Sequence, residues 1–164
     1  MNNIVDQIES QLGAESSLPK SGVDSSTQRI ADELSFWENG GRKETEAAAY
    51  PRLQAYWNNI QFANWTPSGT PWSASFISYL LQDDDSFPAN AAHFKYLQAI
   101  ANGDAAGWGA YSIPKNTNSM VLSPGDVLVR ARGAGTPQSA EYWQTHGDIV
   151  WTVENGKALL VGGN

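Results

Sequence analysis

The sequence predicts an α+β fold, with helices first and a small antiparallel sheet last. Apolar residues recur at helical spacing as far as residue 101. Runs rich in β-branched residues begin only after residue 125, and Asn155-Gly156 between two of them signals a hairpin. The chain shows neither an internal repeat nor a low-complexity tract.

In chain order, Met1, Ile4, Val5, Ile8 and Leu12 share one helical face, so residues 1–13 read as an amphipathic helix stopped by Gly13. Residues 14–26 are polar, with Pro19 and Gly22, and read as a linker. Residues 27–164 then form a single domain. Its first helix runs from Thr27 to Asn39, with Ile30, Leu34 and Trp37 as the apolar stripe and Gly40-Gly41 as the stop. Pro51 suits the first turn of a helix over 51–62, where Leu53, Trp57 and Ile60 share a face. A further helix begins near Pro71 and covers WSASFISYLL, and another covers 89–101. Strands are expected over 126–132 and 148–153, with KALLVG returning after the hairpin.

With 164 residues the chain is large enough to bury a core without staples. Zero cysteines exclude disulfides, a thiolate zinc site and a cysteine nucleophile. Seventeen acidic against ten basic residues give a net charge of −7, which opposes binding to nucleic acid and adsorption to anionic membranes or cell-wall polymers. The chain has no HExxH sequence, Gly-rich nucleotide loop or 20-residue apolar run, so neither a metal nor another cofactor is expected.

Three groups could carry chemistry. Ser73 falls in the first turn of its helix, four and seven residues before the inward-facing Ile77 and Leu80. It therefore points into the body of the protein, among backbone N–H groups that a helix leaves unpaired. It reads either as a nucleophile or as a capping serine. His146 and Asp148 alternate onto one face of a strand, as an oriented base or as a surface ion pair. His93 lies on a helical face with Ala89 and Leu97, as a half-buried, hydrogen-bonded histidine close to Ser73 without touching it. Carboxylates at Glu33, Glu38, Glu44 and Glu46 read as a solvated face, or as a glycan-cleaving pair built on Glu44 and Glu46.

PWSASFISYL, SPGDVLVRAR and THGDIVWTVENGKALLVGGN, in that order, resemble CHAP and NlpC-type papain-like peptidoglycan hydrolases over about residues 65–164. The PWSA string, the A-x-H helix and the H-x-D-I-V…GGN ending are similar to an uncharacterised bacterial family related to these. The resemblance implies a papain-like scaffold that cuts a peptidoglycan amide, in the stem peptide or between muramic acid and L-Ala. Ser73 takes the nucleophile place, His146 the base, and Asn164 or Asp148 the group that orients the imidazole. Trp65, Trp72 and Trp108, with His93, are expected to line the substrate cleft, although the three tryptophans serve equally as core packing. Those families carry Cys where this chain carries Ser73. A serine hydrolase, a non-catalytic muropeptide-binding relative and a Cys→Ser replacement all fit that difference.

The first residues, MNNIVDQIESQL, lack a secretory signal. Synthesis in the cytoplasm and action in the periplasm or outside after delivery are therefore expected, as for a phage lysin or a toxin effector. Peptidoglycan fragments are the expected partner, with an immunity protein or a secretion-system carrier for a delivered toxin.

Overall fold

A computed structural model describes residues 23–38, 41–111, 113, 121–132 and 145–163. The expected helix over 1–13, most of the 14–26 linker and Asn164 lie outside them. Four helices, α1 (Val23–Glu38), α2 (Tyr50–Asn59), α3 (Ser73–Leu80) and α4 (His93–Ala101), precede three strands. The strands β1 (Val127–Ala131), β2 (Thr145–Glu154) and β3 (Lys157–Gly162) pair antiparallel in that order. Helices followed by a meander make the molecule α+β, as the sequence predicts.

The element ends follow local chemistry. Helix α1 starts four residues earlier than the apolar spacing suggests, so the last part of the expected linker is helical. Pro51 sits in the first turn of α2, and Gln61 (φ 54°) takes the left-handed conformation just past its end. That turn stops α2 short of the expected residue 62. Helix α4 begins at His93 rather than 89 because Asn90 holds the preceding backbone extended. Its Oδ1 accepts the Ala92 N–H at 3.2 Å, and its own N–H and C=O bond to the Ser78 hydroxyl at 3.0 Å. At the hairpin, Asn155 (φ 51°) and Gly156 (φ 71°) provide the paired positive φ of a type I′ turn.

Helices α3 and α4 pack on one face of β2. The core between the layers joins Ile30, Leu53, Tyr56, Trp57, Trp72, Phe76, Ile77 and Leu80 to Ile149 and Val161. One charge lies inside it. Glu33 is fully buried, accepts an N–H of Arg52 at 2.8 Å and accepts the Tyr56 hydroxyl in a very short hydrogen bond. Trp37 Nε1 donates to the same Tyr56 oxygen at 2.9 Å. Burial, and then the Glu33 charge, push the Tyr56 phenol far above its ordinary value. Glu33 therefore belongs to the interior and not to the solvated face expected for it.

Candidate active site

Ser73 is the first residue of α3, and Trp72 before it holds the N-cap position without a side-chain capping bond. The Ser73 hydroxyl is therefore not spent on its own helix. It meets Nε2 of His93 at 2.7 Å, in a setting where Ser73 is 5% and His93 2% exposed. The expectation that His93 stops short of Ser73 is corrected here: His93 opens α4 and its ring reaches the α3 N-terminus. Its Nδ1 meets the Tyr96 hydroxyl at 2.5 Å, one helical turn away.

Gly147 makes this approach possible. A Cβ at that position would lie 2.5 Å from His93 Nδ1 and 2.9 Å from the Tyr96 hydroxyl. A side chain there and the His93–Tyr96 pair exclude one another, so the absent Cβ lets α4 press its ring groups against β2.

His146 is not the hydrogen-bond partner of Ser73, which corrects the second expectation. Strand alternation gives His146 and Asp148 the same face. Its Nε2 lies 3.2 Å from Asp148 Oδ1, so the expected orientation by Asp148 is present. Its Nδ1 accepts an N–H of Arg132 at 2.9 Å. Because the guanidinium can only donate, the proton of a neutral His146 sits on Nε2 and points at Asp148. The rings of His93 and His146 stand edge to face, with centroids 6.1 Å apart. Two imidazoles thus sit together, but the inner one holds the serine.

Electrostatics keep both rings neutral. Burial drives His93 from 6.5 down to about 3, helped by the nearby His146 and Arg132. Burial also lowers His146, against the opposing pull of Asp148, with Arg132 and Arg130 adding to the lowering. Burial raises the Tyr96 phenol, and the Asp148 charge raises it further.

The expected cleft tryptophans take other places. Trp72 is buried and stacks on Trp37 with centroids 5.0 Å apart, so it is core and not a cleft wall. Trp65 is half-buried against Tyr50 and Trp57. Trp108 donates to Asp84 and lines a cavity of about 370 Å³ with Leu80, Leu81 and Trp151, at the end of α3 away from Ser73. Glu46 is exposed and Glu44 partly so, in the turns before α2, whereas an acid catalyst needs a buried, apolar setting. Among the described residues, no three His, Asp or Glu side chains gather as metal ligands. No helix there is long and apolar enough to cross a membrane.

Tyr96 and Arg132 went unnoticed in the sequence. The His93-x-x-Tyr96 spacing on one helix face was the available signal for Tyr96. For Arg132 it was the alternation VRAR running toward the histidine strand.

A family model described as an uncharacterised protein conserved in bacteria (DUF2272) matches residues 27–164. The chain belongs to that family. Comparison with curated proteins and with solved structures yields no significant match in either.

Proposed function

We propose that this member of the family is a peptidoglycan hydrolase of papain-like design, which cleaves an amide bond with Ser73 as nucleophile and His93 as its base. One observation carries the reading. A serine hydroxyl at an uncapped helix N-terminus lies 2.7 Å from an imidazole nitrogen. The cell-wall substrate and the papain-like scaffold rest on the resemblance of the PWSA, PGD and HGDIVW segments.

In this reading Ser73 gives its proton to His93 Nε2 as its oxygen attacks the amide carbon. For Nε2 to accept, Nδ1 must carry hydrogen, and the Tyr96 oxygen is placed to receive that hydrogen bond. Unpaired N–H groups in the first turn of α3 face the developing oxyanion. His93 then returns the proton to the leaving amine, which departs and leaves an ester on Ser73. Water attacks that ester through the same base and frees the acid.

Digestion of purified peptidoglycan, with products identified by mass, tests the reading. New free amines from the parent protein, lost by several orders of magnitude in Ser73→Ala, are expected. Unchanged cleavage by Ser73→Ala, or no cleavage at all, overturns it. A second reading, a non-catalytic muropeptide-binding protein, draws on the burial of the pair and on the weak basicity of His93. It is identified by muropeptide binding without turnover in both Ser73 and Ser73→Cys proteins.

A further inference from the structure

We propose that Arg132, supported by Arg130, is the receptor for a carboxylate on the substrate, so that this site selects peptides bearing a free carboxylate beside the bond presented to Ser73. The inference rests on the reading of Ser73 and His93 as the reacting pair and deepens it by naming the substrate class.

The register of the sheet sets the geometry. Arg130 on β1 lies directly across from His146 on β2, and cross-strand partners share a face. Arg132, the first residue past the end of β1, reaches His146 Nδ1 at 2.9 Å. Two guanidinium groups therefore flank the outer imidazole of the pair, whose inner member holds Ser73.

Both arginines are exposed, and neither is paired with a carboxylate among the described residues. Carboxylates are not scarce in a chain with seventeen acidic residues. Arg29 and Arg52 have each found one, Asp83 and Glu33. Arg132 instead donates to a neutral ring nitrogen, which occupies one of its five N–H donors. The rest of the fork is free to take a carboxylate in the two-point geometry that guanidinium favours.

This placement also gives the anion a chemical consequence. The Arg132 charge is one of the influences that disfavour protonation of His93 and of His146. A carboxylate seated on Arg132 offsets that charge. His93 then gains proton affinity at the moment Ser73 must lose its proton, so the substrate that fits also strengthens the base. A neutral carboxamide in the same place leaves the charge uncompensated.

The test uses full-length Ser73→Ala protein, so that binding is read without turnover. The probes are N-acetyl-L-alanyl-D-glutamate and its diamide, titrated by calorimetry, with the His146 ring ¹⁵N signals followed in parallel. The diacid is expected to bind roughly 10- to 100-fold more tightly than the diamide, the range for a lost charge-assisted pair. The His146 Nδ1 signal is expected to move with the diacid alone. Arg132→Gln should erase the preference and Arg132→Lys should retain part of it, each with an unchanged circular dichroism spectrum. Equal binding of the two probes overturns the proposal. So does a preference that survives Arg132→Gln, or no binding of either at millimolar concentration. Carboxylate preference without peptidoglycan turnover defeats the hydrolase reading and leaves this one. Turnover without the preference does the reverse.

Discussion

Lowering the pH from 7 to 5 reads out the interior placement of His93. In the unfolded chain this imidazole titrates near 6.5, whereas inside the fold burial holds it at about 3. Below pH 6.5 the unfolded chain takes up a proton that the folded protein refuses, so stability is full above 6.5 and falls as the pH drops toward 3. The slope approaches about 1.4 kcal/mol per pH unit for one such group. Integrated from pH 7 to 5, the loss is about 2 kcal/mol from His93 alone. His146 is lowered too and adds a loss of the same sign. Staying above pH 5 keeps most carboxylates ionised in both states. Urea unfolding followed by tryptophan fluorescence at pH 7, 6 and 5 supplies the measurement, since the chain has seven tryptophans. His93→Gln keeps a polar group facing Ser73 but cannot titrate. Its loss between pH 7 and 5 should be smaller than the parent's by about 2 kcal/mol. Equal losses in the two proteins would show that His93 is protonated normally in the folded state, and the enclosed Ser73–His93 pair would have to be abandoned.

Gly147→Ala places a methyl group within 2.5 Å of His93 Nδ1 and should displace the ring from Ser73. A stability loss of about 1–3 kcal/mol by urea melts, with a disproportionate fall in peptidoglycan cleavage, is the expected result. Full activity in this variant contradicts the close packing of α4 on β2. Tyr96→Phe strands His93 Nδ1 and should cost about 1–3 kcal/mol by the same melts. Activity should drop further, because the imidazole tautomer is no longer held, and parity with the parent in single-turnover assays refutes that role. Arg52→Ala leaves the fully buried Glu33 without its counter-charge and should lower stability by about 2 kcal/mol, reduced from the fully buried case because Arg52 is partly solvated. Glu33→Gln should restore part of that loss in the double variant, and strictly additive melting data speak against the coupling.

The order of elements was legible because it rests on periodicity. Ile30, Leu34 and Trp37, or Leu53 and Trp57, mark helix faces whatever surrounds them, and Asn155-Gly156 marks its turn by backbone chemistry alone. The ends were less legible where a side chain competes for the backbone, as Asn90 does before α4. Glu33 shows a different failure. Its position, three after Ile30 and four before Trp37, puts it on the buried face, but its charge argued for solvent. The counter-charge that permits its burial lies nineteen residues away on α2.

The choice between the two histidines needed the same long-range information. Each has a plausible local setting: His146 beside Asp148 on a strand, His93 in a helix among apolar neighbours. Local setting favoured His146. What decides against it is Arg132, arriving from the end of the neighbouring strand β1, which with Asp148 on β2 itself occupies both nitrogens of His146. At Gly147 a missing side chain opens the space that His93 and Tyr96 fill. A glycine between a histidine and an aspartate in HGD reads as a strand-start residue when taken alone. Packed against α4, it determines which imidazole reaches the serine.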